Sequence, residues 1–126
     1  MGMYGPITTP AAAGGAGVAA ATVVSDHVVR GFIAGIFIQY NDAPPAATTD
    51  VGIKTKSQSG VLPNIPILTI TNAATDGYFA PEVASVTAAN VATGQYSKFL
   101  IEDYVQIDLA GANDGDSVSV WLYLVN

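Results

Sequence analysis

From residue 18 to its end the chain alternates between apolar and polar or small side chains with a period of two, in short runs. Successive side chains of a strand point to opposite faces, so this period predicts strands that bury one face. Strands are expected over residues 20–25, 27–29, 31–40, 51–56, 65–71, 78–81 and 95–101. A terminal hairpin is expected over residues 104–125, its arms joined at Asn113-Asp114-Gly115-Asp116, where Asn/Asp-Gly chemistry reverses a chain. Residues 31–40 are apolar on both faces, with Phe32, Ala34, Ile36, Ile38 and Tyr40 on one and Ile33, Gly35 and Phe37 on the other, which predicts a central strand. Asn41-Asp42-Ala43-Pro44-Pro45 must end it. Residues 82–94 are rich in small side chains, and Val83, Val86 and Val91 keep no 3.6 period. They read as loop with a short helical turn.

Short strands punctuated by Gly, Pro, Asn and Asp, with no long amphipathic helix, predict an all-β, antiparallel β-sandwich, jelly-roll-like or immunoglobulin-like. Residues 18–126 form that domain in this reading. Residues 1–17 carry no charge and little that packs, and Gly and Pro at this density predict a flexible or extended N-terminal arm. A free tail and a strap laid across a neighbouring subunit have the same signature.

Composition narrows the function. Four basic and ten acidic residues in 126 leave the chain poor in charge, and the mean hydropathy is +0.40. A surface with so few charges is expected to be covered by copies of the chain or by another protein. The net charge of −6 and four scattered cations argue against a nucleic-acid partner. No segment approaches the roughly 20 apolar residues that span a bilayer as a helix, so no membrane partner is expected. The amino terminus has no basic region ahead of its Ala/Gly tract, so a cytosolically made protein is expected. Without cysteine there is neither disulfide nor thiolate ligation.

Catalytic chemistry is sparse. His27 is the single histidine, and a general base needs a positioned partner and a nucleophile that the sequence does not supply. Glu102 and Asp103 would point to opposite faces of a strand. The Asn113–Asp116 tip offers oxygen ligands but lacks the twelve-residue calcium loop with its final Glu, so turn chemistry is the simpler reading. No enzyme, cofactor or metal is expected. The aromatic residues have two readings: core packing with hydroxyls at the rim, or a sugar-stacking platform built from Trp121, Tyr123 and Tyr104. Trp121 and Tyr123 share one face of their strand, and Leu122 and Leu124 the other.

The order of segments carries a resemblance. Val29-Arg30-Gly31-Phe32-Ile33-Ala34-Gly35-Ile36-Phe37-Ile38-Gln39-Tyr40, then Thr49-Asp50-Val51-Gly52-Ile53, then Ile67-Leu68-Thr69-Ile70-Thr71-Asn72 with Asp76-Gly77-Tyr78-Phe79-Ala80-Pro81, and finally Ile101-Glu102-Asp103-Tyr104-Val105-Gln106-Ile107 resemble a family of small virion proteins of tailed bacteriophages. The likeness runs from about residue 18 to 126 on strand patterns, and departs at Ala80-Pro81-Glu82 and Glu102-Asp103-Tyr104, where basic residues are usual. It implies a structural virion component on the outer surface of the head, a capsid decoration or cement protein that binds the major capsid protein as a homo-oligomer, with a trimer favoured. The residues expected to make these contacts are Tyr4, Pro6, Ile7 and Pro10 in the arm and Tyr78, Phe79, Trp121 and Tyr123 on the domain. The competing expectations are a carbohydrate-binding or host-adhesion module of a fibre or spike, and a neck or tail subunit.

Overall fold

A computed structural model describes residues 2–41, 45–61, 63–86, 89 and 92–125, and every regular element among them is a strand. In chain order these are β1 (Gly2–Thr8), β2 (Ala19–Val24), β3 (Val29–Tyr40), β4 (Asp50–Lys56), β5 (Pro66–Ile70), β6 (Gly77–Phe79), β7 (Glu82–Val86), β8 (Ala92–Ala112) and β9 (Val118–Val125). All pairings are antiparallel, and the protein is an all-β sandwich.

Two layers share the long strand β8. The front layer runs β1-β9-β3, with β6 and residues 99–103 of β8 along the other edge of β3. The back layer runs β5-β4-β8-β2. Between them lies one core in which Ile33, Ile36, Ile38, Ile53, Ile107, Leu109 and Leu122 are fully buried. Each such side chain contributes about 1.5–3 kcal/mol of transfer free energy. The alternation read from the sequence is visible here: Val51, Ile53 and Thr55 of β4 and Val105, Ile107 and Leu109 of β8 point inward, while Lys54, Gln106 and Asp108 do not.

Four expectations are corrected. Residues 104–125 do not make a hairpin, because residues 104–112 of β8 lie in the back layer and β9 in the front, and the two are not paired with each other. The Asn113–Asp116 turn is an arch across the sandwich, held by main-chain bonds from Ala12 N to Asp116 O (2.7 Å) and from Gly115 N to Ala12 O (2.8 Å). The Asp116 carboxylate, buried, accepts from Asn113 N at 2.9 Å, and the Asn113 side-chain oxygen accepts from Gly17 N at 3.1 Å.

Those bonds also bear on the arm. Residues 2–8 are extended, as expected, but they form the edge strand β1 on β9 of the same molecule, with Ile7 and Ala12 in the core and Thr9 buried. Thr9 N donates to Val118 O and Thr9 Oγ1 accepts from Val118 N, both at 3.0 Å. So placed, the stretch pairs and packs with the sandwich of its own molecule, where a flexible arm was an expectation.

The third correction concerns residues 82–94. Residues 82–86 and 92–94 are strand, making a hairpin of β7 with the start of β8 (Glu82↔Lys98, Val83↔Ser97, Ala84↔Tyr96). Residues 87, 88, 90 and 91 lie outside the described residues. The fourth concerns the strand expected over residues 95–101 and the hairpin arm expected from residue 104, which are parts of one 21-residue strand, β8.

Candidate functional site

The outer face of the front layer is where the chemistry-bearing side chains gather. β3 pairs with β9 in the register Phe32↔Val125, Ile33↔Leu124, Gly35↔Tyr123, Ile36↔Leu122 and Phe37↔Trp121, with an irregularity between Ile33 and Gly35. This bulge resets the alternation. Ile33 and Ile36, three apart, both point into the core, and Phe32, Phe37 and Gln39 all point out. The sequence expectation that Phe32, Ile36 and Ile38 share a face is corrected accordingly.

On this face Trp121 packs against Phe37 with ring centroids 5.8 Å apart and planes at 54°, and Tyr123 packs against Tyr78 at 5.8 Å and 57°. Phe37, Trp121 and Tyr123 are half-buried, and Tyr78 is 59% exposed. Tyr78 comes from β6, whose pairing sets it opposite Phe37. Asp76 steers the approach to β6 by accepting from Tyr40 N at 2.8 Å. The Tyr78 ring reaches Tyr123 by lying across Gly35, where any β-carbon would collide with the phenol. Gly5 plays the matching part under Trp121. With φ at +134° it brings β1 so close that a β-carbon would stand 2.7 Å from Val120 O and 3.3 Å from Trp121 Cδ1.

Neutral polar groups rim the rings: Gln39, and the Thr8 and Ser119 hydroxyls, which are hydrogen-bonded at 2.9 Å. No charged residue occurs in β1, β6, β9 or in β3 from Phe32 onward. Asp76 flanks β6 just ahead of Gly77, and Arg30 and Glu102 pair with each other at 3.0 Å beyond Phe32.

The expected contact residues divide. Trp121, Tyr123 and Tyr78 come together on this face. Phe79 turns toward the core, as do Tyr4 and Ile7, and Tyr4 accepts from His27 N at 3.1 Å through its hydroxyl. Pro6 and Pro10 are exposed on the N-terminal stretch. Tyr104 is not part of the platform, since it pairs with Lys56 in the back layer. Phe37 and Gly35 were missed, because the face of a long, doubly apolar strand is set by its bulge. Their signal was Gly35 itself, a glycine inside a strand.

Elsewhere the chemistry is structural. An open groove of about 520 Å³ lies between β1 and the end of β2, lined by Tyr4, Pro6, Val23, Asp26 and His27 among others. The His27 side chain is exposed there, and no hydroxyl or carboxylate is hydrogen-bonded to its imidazole among the described residues. On the back layer, Thr22 Oγ1 and Gln106 Nε2 donate to Asp108 at 2.9 Å each, and Lys54 Nζ lies 3.2 Å from it. Among the described residues no three acidic or histidine side chains gather in a way that could hold a metal ion.

No family model matches the chain, and no curated protein matches it. Solved structures similar to it include the enzymatically active domain of tailspike protein 4 of bacteriophage CBA120, at a TM-score of 0.45 and 15% identity over 90% of this chain and 15% of that one. A family 16 carbohydrate-binding module is similar at 0.40 and 10%, over 88% of this chain and 73% of that one. A family 29 carbohydrate-binding module is similar at 0.35 and 10%, over 90% and 62%. The chain spans only a small part of the tailspike domain. These neighbours are β-rich proteins, as this one is.

Proposed function

We propose that the protein is a carbohydrate-binding module of the host-adhesion type, with the outer face of the front layer as its platform. The observation that carries this reading is the set of four aromatic side chains on one solvent-facing sheet surface, two of them seated over glycines, with neutral hydrogen-bonding groups at the rim. Aromatic faces stack against the C–H faces of pyranose rings, and the rim amides and hydroxyls bond sugar hydroxyls without a charge to desolvate. The rings are tilted by 54° and 57°, so the surface is not flat and suits a single glycan chain better than a crystalline polymer face. With no charge on the platform and −6 on the molecule, the ligand is a neutral glycan in preference to a polyuronate or a sulfated chain.

The experiment is a glycan array followed by titration calorimetry of the hits, with Trp121→Ala and Tyr78→Ala variants. The proposal expects neutral hexose oligomers to bind and each truncation to weaken binding by roughly 2 kcal/mol, about thirtyfold. Absence of binding across the array would reject it.

A second reading, the capsid decoration protein, keeps one observation in its favour. The same apolar face could be covered by a coat protein, burial at about 25 cal/mol per Å² supplying the affinity. Addition of the protein to purified phage heads separates the two, since saturable decoration that survives competition by free glycans favours the coat.

A further inference from the structure

Beyond the platform, β7 and residues 92–98 of β8 stand apart from both layers. They pair with each other, and every described side chain of the two segments is exposed. A two-stranded ribbon by itself is marginally stable in water. Its charges and apolar groups are arranged in a definite way. Tyr96, Lys98, Leu100 and Glu102 alternate along one face of β8, each exposed, with Leu100 64% and Tyr96 63% accessible. Phe32, 38% accessible, stands opposite Leu100. A cation, an apolar rung and an anion therefore follow one another at two-residue spacing, the anion Glu102 also pairing with the exposed Arg30 of β3 at 3.0 Å.

We propose that this face is a two-fold interface with a second copy of the chain. An isologous contact places each patch on itself. With the axis through Leu100, Lys98 of one copy meets Glu102 of the other, twice, while Leu100 and Phe32 bury against their own counterparts. The charge order along β8 is thus complementary to its own two-fold image, which selects a second copy over a glycan or a coat protein. The exposed ribbon is covered in the same step.

Sedimentation velocity over a concentration series tests this, with Lys98→Glu, Glu102→Lys and the double variant. Each single reversal sets like charges against each other twice across the axis and is expected to weaken the dimer about tenfold. The double variant restores opposite charges across the axis and is expected to regain wild-type association. Within one chain the same double change leaves Glu82 opposite a glutamate and Arg30 opposite a lysine, so an effect confined to the chain would worsen instead. Leu100→Thr, which keeps strand propensity and touches no charge, is expected to abolish the dimer while leaving the far-ultraviolet dichroism unchanged. A wild-type protein that stays monomeric at every concentration, a dimer indifferent to all four variants, or additive losses in the double variant would each overturn the proposal.

Discussion

Gly35 and Gly5 both make room for an aromatic ring, and the physics of filling each differs. At Gly35 the obstruction is the far end of the Tyr78 side chain, which can swing away into solvent. Gly35→Ala is therefore expected to cost less than about 1 kcal/mol in thermal denaturation, the lower edge of overpacking effects, while weakening glycan binding as Tyr78→Ala does. At Gly5 the obstruction is the main chain of Val120, and φ is +134°. Gly5→Ala is expected to destabilise by about 1–3 kcal/mol, because neither the carbonyl nor the backbone dihedral can yield cheaply. Equal losses of melting temperature in the two variants would show that the seating of the rings has been misread.

Among the elements, β8 carries the strongest test of the packing. Ile107 is fully buried between the layers, so Ile107→Ala should cost about 2–5 kcal/mol in denaturant unfolding. Asp108, one residue on, faces outward. Burial raises its carboxyl, but hydrogen bonds from Gln106, Thr22 and Lys54 and the Lys54 charge outweigh this and leave it below its ordinary value. A carboxyl depressed in the folded state contributes stability that is present above its unfolded pKa and is lost as the pH falls through the folded one. Asp108→Asn is therefore expected to lower the melting temperature modestly in the neutral region, where that contribution is present, and to converge on the wild-type value at low pH, which flattens the acid limb of the profile. The inward sets of β4 and β8 were legible in the sequence, since Val51, Ile53, Val105, Ile107 and Leu109 alternate with polar neighbours. Partnership was not legible: alternation in residues 104–109 and 118–125 says that each buries a face, but not that they bury it from opposite layers. The arch depends on Ala12, about a hundred residues away, a contact no local pattern announces. The β7–β8 ribbon escaped notice because none of its described side chains is buried to impose a pattern.

For the molecule as a whole, the N-terminal stretch is the element whose role changed most between sequence and structure. Deleting residues 1–8 should remove Ile7 from the core and bare the β9 edge, so the shortened chain is expected to melt well below the full one and to aggregate through that edge. An unchanged melting curve would return those residues to the status of a tail. Of the expected contact residues, the rings at Trp121, Tyr123 and Tyr78 form a face that no basic or acidic group interrupts, and the central claim is that this face stacks on sugar. Trp121 is the one tryptophan of the chain and lies in the middle of that face, so its emission reports on the platform alone. Titration of neutral oligosaccharides against Trp121 fluorescence is expected to give a saturable shift and quench that Tyr78→Ala weakens. An emission spectrum unmoved by every neutral and acidic glycan tried would contradict the account.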